Sequence, residues 1–199
     1  PELYTISNVQ GNPSTNMYDE TFETNSVFGQ ASLGWRDAVY LDVTARNDWS
    51  STLPSGNWSY FYPSFTGSVI VTELLDVNEN ILSFLKLRGG WAQVGNSTDP
   101  YQLAFTFSGS DPFGGVTPFY TSRSLPAVDL QPEDIKSTEV GIDARFLNNR
   151  ITLDFTYYDV VTTNQILPVE ISRATGFSSL LINAGAIENK GVERQLGAD

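Results

Sequence analysis

Between Ala38 and Ser51 the chain reads AVYLDVTARNDWSS. Val39, Leu41, Val43 and Ala45 are apolar, whereas Tyr40, Asp42, Thr44 and Arg46 are polar or amphipathic. Successive side chains of a strand point to opposite faces, so this alternation reads as a β-strand with one greasy face. It ends at a turn-like run that holds Trp49. What covers the greasy face, a protein core or lipid, determines everything downstream.

The same period recurs along the chain. Val27, Ala31, Leu33 and Trp35 oppose Phe28, Gln30 and Ser32, and Arg36-Asp37 forms a tight turn into the quoted strand. Phe65, Gly67, Val69 and Val71 oppose Ser64, Thr66 and Ser68. Leu85, Leu87 and Trp91 oppose Lys86 and Arg88. Val140, Ile142, Ala144 and Phe146 oppose Glu139, Asp143 and Arg145. Asn148-Asn149 is a turn signal, after which Ile151, Leu153, Phe155 and Tyr157 oppose Thr152, Asp154, Thr156 and Tyr158. A last strand begins near Gly191. Helix signals are scarce, so the chain is expected to be all-β.

The connections differ in length by end. In an up-and-down meander, alternate connections share an end. One set is Arg36-Asp37, Thr72–Phe84 and Leu147–Arg150; the other is Asp48–Ser59, Asn96–Thr138 and Val161–Lys190. Short turns at one end and long loops at the other are the habit of an outer-membrane barrel. A soluble antiparallel sandwich shows the same alternation, with the apolar face as its core. Three features favour lipid: expected strands of about ten residues against the usual five or six, the loop asymmetry, and aromatics at the strand ends. Trp49, Trp58, Tyr60, Phe61, Tyr62, Tyr157 and Tyr158 gather at the long-loop end, and Trp35, Phe84 and Phe146 at the other, as in interfacial belts.

Composition removes whole classes of function. The chain of 199 residues carries 11 basic and 23 acidic side chains, a net charge of −12 that repels nucleic-acid phosphates. It has no cysteine and no histidine, which excludes disulfides, thiolate zinc sites and histidine-based catalysis. Asp76–Asn80 (DVNEN) imitates half a calcium loop, but Ile81 stands at the required glycine and Leu87 at the required glutamate, so no metal is expected there. Glu133-Asp134 is an adjacent carboxylate pair with no sign of a cleft between them. No catalytic residue and no cofactor is expected.

Five runs carry a family resemblance: LDVTARNDWSSTLP (Leu41–Pro54), YFYPSFTGSVIVTE (Tyr60–Glu73), LKLRGGWAQVGNSTDPY (Leu85–Tyr101), LQPEDIKSTEVGIDARFLNNRITLDFTYYD (Leu130–Asp159) and NAGAIENKGVE (Asn183–Glu193). In this order they resemble the SusC/RagA family of TonB-dependent outer-membrane transporters of Bacteroidetes. The resemblance implies an antiparallel up-and-down transmembrane β-barrel of about 22 strands, of which residues 1–199 would supply about seven from the C-terminal half. The signal peptide, plug domain and TonB box of the family have no counterpart here, so a barrel fragment is expected. The resemblance further implies import of large nutrients, glycan oligosaccharides or peptides. The implied partners are a SusD-like surface lipoprotein as lid, TonB acting through the plug, and outer-membrane lipid.

On this reading Val39, Leu41, Val43 and Ala45 face acyl chains, while Asp42, Arg46, Lys86, Arg88, Asp143, Arg145 and Asp154 face a wet lumen. Salt bridges between neighbouring strands are the expected use of those charges. Arg194 departs from the rule: it falls on the apolar parity, where either headgroup snorkelling or a bulge that shifts the register would account for it. In the longest loop, Tyr101, Phe113, Phe119 and Tyr120 are candidates for contact with substrate or lid, alongside Phe105 and Phe107. Packing of these rings within the loops is the competing expectation. The rival to the importer as a whole is a soluble or surface carbohydrate-binding β-sandwich.

Overall fold

The computed structural model describes residues 19–75 and 77–198. Asp76, the first residue of the calcium-loop imitation, and Asp199 lie outside the described residues. The elements are β1 (Thr24–Trp35), β2 (Val39–Ser50), β3 (Ser59–Ile70), α1 (Val71–Leu74), β4 (Leu82–Asn96), β5 (Phe107–Gly109), β6 (Phe119–Thr121), β7 (Ser124–Leu125), β8 (Glu133–Phe146), β9 (Ile151–Thr163), β10 (Ile166–Glu170), β11 (Ser179–Asn183) and β12 (Ala186–Ala198). Seven long strands form one antiparallel sheet in the order β1-β2-β3-β4-β8-β9-β12. Each long strand pairs with the next long strand in the chain, which is the up-and-down meander that the alternation predicts.

The short turns are built from left-handed residues. Arg36 and Asp37 both have φ near +50°, and the Ala38 amide closes back on the Trp35 carbonyl at 3.1 Å. Two successive positive φ values match the turn to the right-handed twist of the strands. Leu147, Asn148 and Asn149 repeat the device between β8 and β9, and asparagine tolerates that conformation better than most residues. The neighbouring turns are tied together, with Leu147 N–H donating to the Ile81 carbonyl at 3.1 Å and Asn149 N–H to Ser83 Oγ at 3.2 Å.

Among the described residues no second sheet covers the apolar face. Val27, Leu33, Trp35, Leu41, Phe65, Leu87, Val140, Phe155 and Leu196 are all exposed, and among the described residues the only buried hydrophobic residues are Ala38, Leu53, Ala127, Leu130 and Ala144. A sandwich would bury exactly the side chains that stand open here, so the sandwich alternative fails on packing.

The apolar face has edges, and these edges slope. One row of Cα partners runs Ala31, Val43, Phe65, Trp91, Thr138, Asp159, Lys190. It starts apolar and ends charged. On β1 the apolar side continues past Ala31 to Val27, with Asn25 beyond, so the upper edge shifts by six residues between β1 and β12. The lower edge shifts the same way by four, since the row through Trp35 meets β12 at Arg194 while the apolar side runs on to Ala198. At about 3.3 Å per residue and about 4.8 Å per strand, the band is inclined to the rows by about 30°. Strands of membrane barrels tilt by about 35–45° to the axis, so a level slab of hydrocarbon would trace nearly this slope.

Two expectations about boundaries are corrected. The strands extend further into the long-loop end than alternation indicates: Glu133–Thr138, Val161–Thr163 and Ala186–Lys190 belong to β8, β9 and β12 rather than to loops. Above the apolar band the ladder of backbone hydrogen bonds continues although the side-chain pattern has ended, which hides these residues from a periodicity argument. The register of β12 is also continuous from Ala186 to Ala198, with no bulge. Arg194 therefore stands on the apolar face opposite Phe155, the one charged side chain within the band.

Candidate transport face and mouth

The register places all seven charged candidates on one face. Asp42 shares a row with Ser32, Thr66, Gly90, Glu139 and Tyr158; Lys86, Asp143 and Asp154 share another; Arg88 lies in the row of Gly141 and Thr156. Arg46 and Arg145 follow by parity. The opposite face has charge only beyond the apolar band, where Lys136 pairs with Asp134 at 2.9 Å and Lys190 with Glu188 at 2.8 Å, apart from Arg194.

Ion pairing across strands occurs once among these candidates. Arg88 on β4 reaches over β8 to Asp154 on β9, with Nη1 to Oδ2 at 2.9 Å, Nη2 to Oδ1 at 2.8 Å and a further bond from Nη2 to Thr156 Oγ1 at 2.7 Å. The fork geometry suits arginine and not lysine. The crossing is possible because Gly141 lies beneath: a Cβ there would come within 2.7 Å of Arg88 Nε and 3.0 Å of its Cγ. The other pairs run along a strand, Arg46 to Asp48 at 2.7 Å and Arg145 to Asp143 at 3.5 Å. Lys86 is the Cα partner of Asp143 but makes no ion pair within 4.0 Å among the described residues. Asp42 accepts from Ser32 Oγ at 2.5 Å.

Sequence reasoning missed Asp48 by assigning it to a loop. Asp48 is 5% exposed and accepts from Arg46 Nε and from the Tyr62 hydroxyl, while Tyr62 stacks with Tyr60 at 5.8 Å between ring centres. Arg46 and Asp48 two residues apart on one strand face, opposite two tyrosines also two apart, was the available signal.

At this same end of the strands the three long connections pack into one body. Leu53, Ala127 and Leu130, one from the β2–β3 loop and two from the segment 97–132, are buried with Tyr60, Leu103, Ile166 and Leu181 around them. Asparagines tie these loops together. Asn57 Nδ2 donates to the Leu130 carbonyl at 3.0 Å, and Asn183 Nδ2 to the carbonyls of Gln131 and Asn164 at 2.8 and 2.9 Å. Glu133, one of the adjacent carboxylates, accepts from the Ile166 amide and from Asn96 Nδ2, which is a structural use.

The loop aromatics divide. Tyr101 is anchored, its hydroxyl accepting from the Thr21 amide at 3.1 Å, and it lines a polar cavity of about 360 Å³ with Gln102, Ser108 and Ser124. Phe105 stacks on Phe177 at 5.8 Å. Phe113, Phe119 and Tyr120 sit on the β5–β6 hairpin and stay exposed, Phe113 by 88%. The structure thus brings Phe113, Phe119 and Tyr120 together on one hairpin, and Tyr101 shares its cavity with Ser108 of that hairpin.

Residues 3–198 match the family described as TonB dependent receptor-like, beta-barrel. The chain belongs to this family. The curated TonB-dependent receptor P26 of Formosa agariphila is 30% identical over 179 residues, covering 88% of this chain and 18% of that protein. TonB-dependent receptor SusC of Bacteroides thetaiotaomicron is 31% identical over 185 residues, covering 87% and 18%. Among solved structures, the RagAB peptide importer in its closed-closed state superposes with a TM-score of 0.78 at 26% identity, over 87% of this chain and 19% of that one. The siderophore receptor PirA of Pseudomonas aeruginosa shares the fold at 16% identity, with a TM-score of 0.60. The chain spans about a fifth of the length of its curated relatives. The seven-stranded sheet is therefore part of the wall of a TonB-dependent outer-membrane barrel, of SusC and RagA type. No helix among the described residues is long and apolar enough to cross a membrane; a barrel crosses with strands.

Proposed function

We propose that this TonB-dependent barrel segment forms wall and mouth of an importer of large nutrients, glycan oligosaccharides or peptides. The inclined apolar band carries this reading: lipid wets one face, and Asp42, Arg46, Lys86, Arg88, Asp143, Arg145 and Asp154 line a wet lumen on the other. The long connections then open to the cell exterior. The exposed Phe113, Phe119 and Tyr120 contact a SusD-like lipoprotein lid or the incoming substrate, and Tyr101 borders the adjoining polar cavity. TonB supplies energy through a plug domain, and the cargo crosses without covalent change, so no residue has a catalytic role. The kinship with SusC and with the RagAB peptide importer supports this assignment of role.

These 199 residues contain no cysteine, so none has to be removed from this part of the wall before labelling. Single cysteines are placed at Val43 and Thr44 in a cysteine-free background of the full-length protein in outer membranes. A membrane-impermeant maleimide is expected to label Thr44→Cys and to spare Val43→Cys. Equal labelling would defeat the assignment of faces. Uptake of labelled oligosaccharides or peptides by cells carrying the full-length protein, lost on deletion of TonB, tests the import itself.

A further inference from the structure

Trp91 and Gln93 on β4 stand on the side of the apolar band, and their Cα partners on β8 are Thr138 and Lys136. The four form a two-by-two block on interior strands of the sheet, so the block does not depend on where the sheet ends. Direct partners stand about 5 Å apart and successive residues of one face about 7 Å apart, which puts all four polar ends within reach of one phosphate. Each of them carries a donor: an indole N–H, an amide, a hydroxyl and an ammonium. Trp91 stacks on Phe65 at 6.1 Å between ring centres, but Trp91, Gln93 and Thr138 make no side-chain hydrogen bond among the described residues. Lys136 gives one N–H to Asp134 at 2.9 Å and keeps two.

The block sits on the upper edge of the apolar band. The row beneath it runs Gly67, Gly89, Val140, Tyr157, Val192 and holds no charge. Gly67 and Gly89 leave a dip there. A Cβ on Gly89 would meet only the Glu139 carbonyl at 3.7 Å and Val140 Cγ1 at 3.8 Å, and one on Gly67 only the Tyr40 carbonyl at 3.9 Å. Phe65 and Trp91 stand in the row above the dip, Val69 and Leu87 in the row below. An amphiphile with an acyl chain in the dip therefore brings its polar head against the four donors.

The charges beside the block select the head. Asp159 is the Cα partner of Thr138 on β9, and Lys190 bonds Asp159 at 3.4 Å and Glu188 at 2.8 Å. Three carboxylates, Asp134, Asp159 and Glu188, thus face two ammoniums, Lys136 and Lys190, so a purely anionic head gains no net attraction. Asp134 Oδ1 and Asp159 Oδ1 are enclosed without a hydrogen-bond partner among the described residues, and a cationic donor would satisfy them. A phosphate on the donors of β4 and β8, with a primary ammonium one strand over at Asp159, matches this layout. Those strands are about 4.8 Å apart, a step that an ethanolamine phosphate spans.

We propose that the block is a headgroup site for a phosphoethanolamine lipid of the leaflet at the long-loop end, with one acyl chain in the Gly67–Gly89 dip. The inference rests on the reading of the apolar face as lipid-facing.

The test is native mass spectrometry of the full-length receptor in detergent, titrated with phosphatidylethanolamine, phosphatidylglycerol, phosphatidylcholine and inorganic phosphate. Wild type, Lys136→Ala and the near-isosteric Thr138→Val are compared after heat-modifiable electrophoretic mobility has shown each to be folded. Phosphatidylethanolamine is expected to bind wild type most tightly, with about tenfold loss in Lys136→Ala, equivalent to about 1.4 kcal/mol, and a smaller loss in Thr138→Val. Phosphatidylglycerol lacks the ammonium and phosphatidylcholine lacks its N–H groups, so both should bind more weakly. Equal affinity in both variants, equal binding of either other lipid, displacement of the lipid by inorganic phosphate, or a doubled receptor mass in place of the lipid adduct overturns the site. The labelling contrast between Val43→Cys and Thr44→Cys decides the assignment of faces independently of any of these results.

Discussion

Arg88 and Asp154 meet across an intervening strand, joined by two parallel hydrogen bonds of 2.8–2.9 Å above Gly141. The pair links β4 to β9 without help from β8, whose backbone it crosses. Glycine is the residue that leaves room, because any Cβ at 141 would press on the guanidinium stem.

Replacing Gly141 by valine is therefore expected to displace Arg88 and to release Asp154. Both partners are more than a third exposed, so the lost pair is worth about 0.2–1 kcal/mol. Overpacking adds about 1–3 kcal/mol. Urea unfolding of the full-length barrel in lipid vesicles reads the sum. In the Arg88→Ala background the same valine should cost distinctly less, and an undiminished cost would show that the clash lies elsewhere.

Arg194 shares its row with Trp35, Val39, Val69, Leu87, Ile142 and Phe155, all apolar. An arginine facing hydrocarbon at midplane costs about 2–4 kcal/mol. Arg194→Leu is expected to stabilise the folded barrel in vesicles by an amount approaching that range. A neutral or destabilising result would mean that protein, and not lipid, covers this side of β12.

Leu130 is 1% exposed and holds the long connections together. Leu130→Ala should cost about 2–5 kcal/mol locally. The readout is limited proteolysis of whole cells: cleavage within residues 97–132 is expected to accelerate while the membrane strands remain protected. Unchanged cleavage would argue that the loops are held by the asparagine bonds alone.

Asn183 donates to two carbonyls on separate segments and accepts from the Gln131 amide at 2.8 Å. Asn183→Asp keeps the acceptor and removes both donors. Faster amide exchange is expected in the segment around Asn164, while the Gln131 amide, whose acceptor is kept, stays protected, measured by mass spectrometry on the intact receptor. Exchange confined to Asn183 itself would refute a tying role.

The sheet was legible because a two-residue period records which side of each strand is wet. Val39, Leu41 and Val43 declare their neighbour by contrast with Asp42 and Thr44, and the registers of β2 with β1 and β3 keep the parities aligned. Legibility ended where the contrast ended. Asp48, Glu133 and Ala186 lie in strands above the apolar band, and nothing in their side chains announces a ladder whose bonds are all backbone. The Arg88–Asp154 bridge was hidden for another reason: it joins residues 66 apart through a glycine that contributes no side chain. The loop body was illegible altogether, since Leu53, Ala127, Leu130 and Leu181 follow no period and find one another only in three dimensions.

The welding of the three long connections has a bearing on how anything lands at this end of the molecule. Phe113 and Phe119 are carried on a hairpin whose base is clamped, through Phe105 on Phe177 and the Ser178 amide on the Arg123 carbonyl at 2.8 Å. Conformational freedom at that base is surrendered during folding and not at encounter. A partner docking on the rings, as proposed, would meet a hairpin already held at its base, and that part of the ordering entropy would not be lost again on capture.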